Sequence, residues 1–110
     1  MSEVDLDLHK LFSLEGKVAL VTGGSRGIGF MISQGLLQAG ARVYITARKP
    51  GPCHDAATAL GEFGDCIGLP ADVVDESARK ALVDALTERE GSLDILVNNA
   101  GTAWGAPYED

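Results

Sequence analysis

The residues with the clearest chemical potential form a glycine-rich octet, Thr22-Gly23-Gly24-Ser25-Arg26-Gly27-Ile28-Gly29. Glycine at positions 23, 27 and 29 lets the backbone turn tightly and approach a phosphate without intervening Cβ atoms. An apolar run precedes the octet and a helical pattern follows it, so free N–H groups at a helix start would face that phosphate. The alternative is an ordinary tight strand–helix connection. The residues predicted to bind a dinucleotide here are Gly23, Ser25, Arg26, Gly27, Ile28 and Gly29.

A second chemical signal is the run Thr46-Ala47-Arg48-Lys49, which follows another apolar segment. An acidic residue at this point would accept hydrogen bonds from an adenosine 2′-hydroxyl and favour NAD, but the run contains no acid. Arg48, together with Arg26 and Ser25, would instead attract a 2′-phosphate, because a guanidinium presents a planar fork of donors. The run therefore favours NADP(H) as cofactor. The alternative is that Arg48 and Lys49 are solvated turn charges.

Two further polar groups follow apolar runs. Asp72 is placed to accept a hydrogen bond from an adenine amino group, with Val73 against the ring, although Asp72 could equally begin or cap the next helix. The run Asn98-Asn99-Ala100-Gly101 places two adjacent amides where they can bridge neighbouring strands. Its small residues leave room for a ribose or nicotinamide, and the alternative is an Asn-rich turn. The predicted site residues in this run are Asn99, Ala100 and Gly101.

Strands and helices alternate along the chain in a way that would position these groups. Short apolar runs predict strands, apolar residues at helical spacing predict helices, Gly40 and Gly91 are helix stops, and Asp75 is a good N-cap. Pro50-Gly51-Pro52 predicts a turn. The predicted strands are 18–21, 42–46, 65–69 and 93–98, and the predicted helices are 28–39, 53–63 and 76–90.

This β-α-β-α-β-α-β order predicts an α/β fold with parallel strands, right-handed crossovers and helices on both faces of the sheet. It corresponds to the N-terminal half of a Rossmann-like, doubly wound sheet. In such sheets ligands bind beyond the carboxyl ends of the strands, where the strand order reverses. We assign residues 1–15 to an acidic leader and residues 16–110 to an NADP-binding half-domain.

Composition narrows the class of protein further. With 110 residues the chain is one domain in size, and its formal charge of −7 argues against nucleic acid or an anionic membrane as partner. No apolar run approaches the roughly 20 residues of a membrane span. Cys53 and Cys66 are expected to be free thiols with a packing role, as in a protein of a reducing compartment such as the cytoplasm. Two cysteines are too few for a zinc site built from cysteines.

Together these motifs resemble the short-chain dehydrogenase/reductase family. Its cofactor loop, Thr-Gly-x-x-x-Gly-x-Gly, matches Thr22 to Gly29, its Asn-Asn-Ala-Gly motif matches Asn98 to Gly101, and its adenine-site acid matches Asp72. Within the family the chain is most similar to NADPH-dependent 3-oxoacyl-[acyl-carrier-protein] reductases, including the type linked to rhamnolipid synthesis. The resemblance implies a carbonyl or acyl-thioester substrate and a homo-oligomer for the full-length form.

The resemblance also implies a mechanism, in which hydride passes between nicotinamide and a carbonyl carbon while a Tyr, aided by a Lys and a Ser, handles the proton. The sequence departs from the family here, because Tyr44 has Arg48 rather than a Lys four positions on, and Tyr108 is followed by just two residues. We therefore assign no catalytic residue. Either the chain is a fragment of a protein more than twice as long, which we favour, or it is a naturally short product.

Three hypotheses about function follow from these motifs. The first is an NADP(H)-dependent reductase represented by its cofactor-binding half, and the second is a non-catalytic truncated dinucleotide-binding module. A flavodoxin-like FMN module is disfavoured, because such a module would not need the close approach at Gly27-Ile28-Gly29.

Overall fold

The computed structural model describes residues 13–99, which form one parallel sheet with helices on both faces. Positions 1–12 and 100–110, and with them most of the predicted leader and the site residues Ala100 and Gly101, lie outside this range. The strands are β1 (Val18–Thr22), β2 (Arg42–Thr46), β3 (Cys66–Gly68) and β4 (Ile95–Asn98). The helices are α1 (Gly27–Gln38), α2 (Pro50–Leu60) and α3 (Glu76–Glu90).

The strand order is β3-β2-β1-β4, with every neighbouring pair parallel. The chain moves outward from β1 to β3 and then returns to place β4 on the other side of β1. The order therefore reverses between β1 and β4, where Thr22 is the register partner of Asn98. This topology confirms the predicted Rossmann-like half-sheet and places its ligand-binding crevice at the carboxyl ends of these two strands.

Alternate residues of the strands supply two separate cores. On one face Val21 and Ile45 pack with residues of α1 and α2, including Leu37 and Leu60. On the other face Leu20, Tyr44 and Val18 pack with Leu82 and Leu86 of α3. Because β1 and β2 are buried on both faces, their near-continuous apolar sequences are explained.

Three of the predicted elements have different bounds in the structure. Pro50 and Pro52 do not form a turn outside a helix, because α2 begins at Pro50 and ends at Leu60 rather than spanning 53–63. Proline fits the first helical turn, whose N–H groups have no intrahelical acceptor. The third and fourth strands are shorter than predicted, spanning Cys66–Gly68 and Ile95–Asn98.

The residues lost from these two strands still bind their neighbours. Asp65 accepts a hydrogen bond from the N–H of Val43 at 3.0 Å, and Leu69 donates to the carbonyl of Ile45 at 2.9 Å. At the start of β4, the Asp94 carboxylate accepts from the N–H of Val18 at 2.9 Å. The N–H of Val18 thus donates to a side chain instead of a backbone carbonyl, and β4 begins at the next residue, Ile95.

Apolar spacing correctly predicts α1 but does not identify its buried face. Gly29, Ser33 and Leu37 are the buried residues, whereas Ile28 and Met31 are 68% and 69% exposed. Small residues face the sheet because the helix lies close to the loop that precedes it. The Ser33 hydroxyl is satisfied there by donating to the Gly29 carbonyl at 2.8 Å.

Candidate dinucleotide-binding site

The glycine loop between β1 and α1 is fastened to the end of β2. The N–H groups of Gly23 and Gly24 both donate to the carbonyl of Thr46, at 2.9 and 3.3 Å. Gly23 and Gly27 have φ values of +68° and +62°, which residues with a Cβ rarely adopt. A Cβ built at Gly27 meets nothing within 4 Å, so this side of the loop is open to a ligand.

Two other glycines permit close packing. A Cβ at Gly29 would lie 2.1 Å from the Gly23 carbonyl oxygen and 2.7 Å from Asn99 Nδ2, and one at Gly24 would lie 2.7 Å from the side chain of Ile45. Gly29 therefore lets α1 approach the loop and the end of β4, in addition to any role toward phosphate. Sequence reasoning did not assign Gly24 a role, because its partner in β2 is far away in the chain.

Thr22 joins the ends of β1 and β4 through its hydroxyl. That hydroxyl donates to Asn98 Oδ1 at 3.1 Å and accepts from the backbone N–H of Asn99 at 2.9 Å. The Asn99 side-chain amide donates in turn to the Gly23 carbonyl at 3.4 Å. The Asn99 side chain thus reaches the backbone of the glycine loop, whereas the Asn98 side chain contacts the Thr22 side chain. These contacts hold the loop at the point where strand order reverses.

A cavity of about 320 Å³ opens beside the loop at the carboxyl ends of β1 and β2 and at the segment after β3. Its lining residues are Gly23, Thr46, Ala47, Arg48, Ala71, Asp72, Val73 and Val74. The size and the mostly apolar, small-residue lining suit a flat heterocycle. We call this space the adenosine cavity.

Asp72 shapes the segment that closes this cavity. Its Oδ1 accepts from the N–H of Val74 at 3.1 Å, while Asp75 is the N-cap of α3 and accepts from the N–H of Ser77 at 2.9 Å. The alternative in which Asp72 caps the helix is therefore wrong. Val73 lines the cavity but is only 6% exposed, because it also packs in the core on the α3 face.

The Arg79 side chain binds the segment that contains Val73 and Val74. The sequence did not predict a role for this residue. Its Nη1 donates to the carbonyls of Val73 and Val74 at 2.9 and 3.1 Å. The position lies one turn into α3, so only the tertiary structure shows that it supports the residues lining the cavity.

A second cavity of about 280 Å³ adjoins the first, since both are lined by Ala47 and Arg48. The complete lining of this second space is Ser25, Arg26, Ala47, Arg48, Lys49 and Pro52. We call it the cationic cavity. The structure thus brings Ser25 and Arg26 of the glycine loop next to Arg48, as the 2′-phosphate prediction requires.

The three cations of the cationic cavity form no ion pair with other residues of the range 13–99. Among the described residues, the ion pairs involve Arg42 at the opposite edge of the sheet and not Arg26, Arg48 or Lys49. Arg26 and Lys49 are the N-cap residues of α1 and α2, and neither makes a side-chain capping bond. A cation at the positive end of a helix dipole is unfavourable, so this concentration of positive charge suits a bound anion.

The arrangement fits an adenosine nucleotide that carries a 2′-phosphate. The adenosine cavity offers an acidic acceptor, the cationic cavity offers three cations next to it, and α1 begins at Gly27, where a Cβ would meet no other atom. Ile28 lines neither cavity and is largely exposed at this helix start. It follows that a ligand would meet the backbone of this turn rather than a preformed apolar pocket.

Comparison with known proteins agrees with this geometry. The family model described as short chain dehydrogenase matches residues 17–110. The chain belongs to the short-chain dehydrogenase family.

Two members of the family are similar to this chain over most of its length. It is 59% identical over 102 residues to the rhamnolipids biosynthesis 3-oxoacyl-[acyl-carrier-protein] reductase of Pseudomonas aeruginosa, covering 93% of the chain and 40% of the relative. It is 45% identical over 89 residues to the 3-oxoacyl-[acyl-carrier-protein] reductase FabG of Vibrio harveyi, covering 81% and 36%. The chain thus spans about 40% of the length of the curated relatives it matches.

Solved structures show the same fold. The Pseudomonas aeruginosa RhlG/NADP active-site complex matches with a TM-score of 0.79 and 60% identity, over 84% of this chain and 37% of that one. The L-sorbose reductase of Gluconobacter frateurii, complexed with NADPH and L-sorbose, matches with a TM-score of 0.78 and 35% identity, over 90% and 39%.

Tyr44 is not a proton-transfer group of this short-chain dehydrogenase chain. It is buried in β2, and its hydroxyl donates to Glu90 at the end of α3, on the face away from the glycine loop. Burial raises the pKa of Tyr44, with a further contribution from the Glu90 carboxylate. Tyr108 lies outside the described residues.

The remaining candidate groups do not form a reactive centre within residues 13–99. Both cysteines are free, and burial raises their thiol pKa values, that of Cys66 to about 12, which keeps them protonated and suits packing. No cluster of metal-ligating side chains occurs in this range. Its helices are also too short or too polar to cross a membrane.

Proposed function

We propose that this chain binds NADP(H) as the cofactor-binding half of a carbonyl reductase that acts on 3-oxoacyl thioesters. The observation that carries the proposal is the pair of joined cavities, in which Asp72 lies on the adenosine side and three cations line the other side. This proposal assigns cofactor binding to the residues predicted from the sequence and adds Lys49 to them.

Electrostatics supports the choice of NADP(H) over NAD(H). A phosphate monoester carries between one and two negative charges near neutral pH, which Arg26, Arg48 and Lys49 would offset. A free 2′-hydroxyl would leave these cations close together and unneutralised. The chain as a whole carries a charge of −7, so this cluster of positive side chains is opposite in sign to the net charge of the protein.

The other residues would hold the rest of the dinucleotide. The first turn of α1, from Gly27, presents backbone N–H groups without intrahelical acceptors, which suits a pyrophosphate. Asn99, held by Thr22 and Gly23, would border the nicotinamide ribose at the end of β4. When bound, the nicotinamide supplies hydride to a carbonyl carbon.

The substrate class rests on the relatives. Two of those matching over most of this chain are named 3-oxoacyl-[acyl-carrier-protein] reductases, one of them linked to rhamnolipid biosynthesis. We infer the same substrate class for the complete protein to which this sequence belongs.

A second candidate is a nucleotide-binding module without turnover. One observation favours it, namely that the described part of the chain contains no tyrosine placed for proton transfer, since Tyr44 is engaged with Glu90. The two candidates share the same cofactor site and differ in whether hydride transfer follows binding.

Replacing Arg48 by Asp in the complete natural polypeptide tests the cofactor assignment. The Kd for NADPH, measured by nucleotide fluorescence, should rise roughly 10- to 100-fold, because a charge-assisted contact is replaced by repulsion. The Kd for NADH should change by less than about threefold, since NADH has no 2′-phosphate to repel.

The matched control is Lys80→Asp, which reverses a charge on the exposed surface of α3 outside both cavities. It should leave both affinities unchanged. Equal weakening of NADPH and NADH by Arg48→Asp would remove Arg48 from the 2′-phosphate site.

A further inference from the structure

Two threonines end neighbouring strands at the carboxyl edge of the sheet, but their hydroxyl groups differ in hydrogen bonding. Thr22 and Thr46 are register partners in β1 and β2, and they are 0% and 1% exposed. The Thr22 hydroxyl both donates and accepts a hydrogen bond across to β4. The Thr46 hydroxyl has no hydrogen-bond partner among residues 13–99.

An unpaired buried hydroxyl destabilises a fold, and most buried polar groups are therefore paired. Valine has nearly the same shape as threonine and would fill the same space without this penalty. The hydroxyl at position 46 thus needs an explanation other than packing. The backbone carbonyl of Thr46 does not supply one, because any residue could accept the N–H groups of Gly23 and Gly24.

Thr46 also lines the adenosine cavity, as does the segment that carries Asp72. The other polar side chains of this cavity are those of Asp72 and Arg48. The Asp72 carboxylate can only accept hydrogen bonds and the Arg48 guanidinium can only donate them. An adenosine moiety has both ring-nitrogen acceptors and hydroxyl groups, so a hydroxyl that does both would complement it.

We propose that Thr46 contacts the adenosine moiety of the bound dinucleotide through its hydroxyl, as a binding residue in addition to those assigned above. This inference rests on the proposed function. The hydroxyl oxygen is buried, so this contact requires a change of the Thr46 rotamer, in which rotation about the Cα–Cβ bond moves the hydroxyl to another staggered position. The contact pairs a polar group that the protein leaves unpaired.

The test uses Thr46→Val and Thr46→Ser in the complete natural polypeptide, with NADPH and adenosine 2′,5′-bisphosphate as probes. The second probe lacks nicotinamide, so its Kd from calorimetry reports the adenosine end without any reaction. Thr46→Val should weaken both probes roughly five- to tenfold, and Thr46→Ser should stay within about twofold of wild type.

Thermal unfolding of the ligand-free proteins separates binding from structure. Thr46→Val should have a Tm equal to or above that of wild type, because no hydrogen bond is lost. Thr46→Ser should have a lower Tm, because a buried methyl group is lost, while it keeps its affinity. Thr22→Val is the matched contrast and should lower the Tm, since its hydroxyl is bonded on both sides.

Two results would overturn the inference alone. They are wild-type affinity of Thr46→Val for both probes, and a lowered Tm for ligand-free Thr46→Val, which would show that the hydroxyl is already paired. Failure of the wild-type protein to bind either probe would instead overturn the proposed function and this inference together.

Discussion

Asp72 combines a structural contact with a position suited to ligand binding. Its Oδ1 accepts from the N–H of Val74, which fixes the turn after β3, and it lines the adenosine cavity. A carboxylate has two oxygens, so Oδ2 remains able to accept from an adenine amino group. Helix capping is carried by Asp75 instead, which frees Asp72 for this second contact.

Base specificity should therefore depend on Asp72. We expect the wild-type protein to bind NADPH roughly tenfold more tightly than its hypoxanthine analogue, whose ring has a carbonyl in place of the amino group. Asp72→Asn should bring this ratio close to one, because an amide can donate to that carbonyl while still accepting from Val74. Competition binding with the two dinucleotides measures the ratio.

Asp75→Asn is the control for this change. It makes the same chemical replacement three positions away, at a residue that lines neither cavity, and asparagine is an equally good N-cap. Its ratio should equal that of wild type. A ratio unaffected by Asp72→Asn would show that Asp72 serves the turn alone.

The glycines of the loop also divide their tasks. Gly23 and Gly27 are needed for their backbone conformation, while Gly24 and Gly29 are needed because neighbouring atoms leave no room for a Cβ. One motif thus encodes a turn, a loop–sheet contact and a helix–loop contact together.

Among the elements, α3 is joined to β2 by a charged cluster at the amino edge of the sheet. Glu90, the last residue of α3, accepts from the Tyr44 hydroxyl and from Arg42 Nη1 at 3.0 Å, and Arg42 Nε donates to Asp65 at 2.7 Å. The hydrogen bonds from Tyr44 and Arg42 hold the pKa of Glu90 below its ordinary value of 4.5. The cluster lies at the opposite edge from the two cavities, so it affects stability rather than binding.

Stability should respond to pH through Glu90. Because its folded-state pKa is depressed, the ionised carboxylate stabilises the fold above its ordinary pKa, and this stabilisation is lost as the pH falls through the depressed value. Between pH 7 and pH 3 the Tm of wild type should therefore fall more steeply than that of Glu90→Gln. At pH 7 the Gln variant should have the lower Tm.

Glu88→Gln provides the comparison, since Glu88 lies on the exposed side of the same helix. Its Tm should follow the wild-type curve throughout. Parallel curves for wild type and Glu90→Gln would mean that the cluster adds nothing to the acid sensitivity of the fold.

The start of α2 shows how an element boundary affects the site. Because the helix begins at Pro50, Lys49 becomes its N-cap and Pro52 becomes part of the wall of the cationic cavity. A turn over residues 50–52 would have left this wall undefined. The sequence suggested Lys49 only as a solvated turn charge, whereas the structure places it in the lining of the cationic cavity.

For the molecule as a whole, the described sheet carries the elements of the proposed cofactor site, and β4 is its outermost strand on one side. Within residues 13–99 β4 is an edge strand, and Leu96 on it is 48% exposed. The relatives that the chain matches are more than twice as long, since 102 aligned residues make up only 40% of one of them. The activity proposed for the complete protein therefore depends on residues that the described sheet does not supply.

Turnover separates the two candidate functions. Residues 1–110 alone should not oxidise NADPH in the presence of a 3-oxoacyl thioester, because Tyr44 is engaged with Glu90 and Tyr108 has no Lys four positions on. The complete natural polypeptide should do so, as followed by absorbance of the reduced nicotinamide.

Turnover by residues 1–110 would refute the claim that they lack proton-transfer machinery. Binding of NADPH without turnover in the complete polypeptide would favour the non-catalytic module.

Much of the fold was predictable because it depends on residues close in sequence. The spacing of apolar residues located each strand and helix of residues 13–99, although the bounds of α2, β3 and β4 differ from the predicted ones. The Gly-rich octet located the turn after β1, and Asp75 correctly marked the start of α3. The positions of Arg26, Arg48 and Asp72 after successive strands also placed them at one edge, since parallel strands end on the same side.

The contacts that define the site depend instead on strand register and on how closely the helices approach the sheet. Thr22 meets Asn99 across 77 positions, and only this pairing distinguishes its hydroxyl from the unpaired one of Thr46. Likewise, the steric need for Gly29 and the support from Arg79 arise from segments distant in the chain. Local sequence patterns predict which polar side chains lie at the carboxyl edge of the sheet. Three-dimensional packing decides which of these side chains are hydrogen-bonded within the protein and which remain available to a ligand.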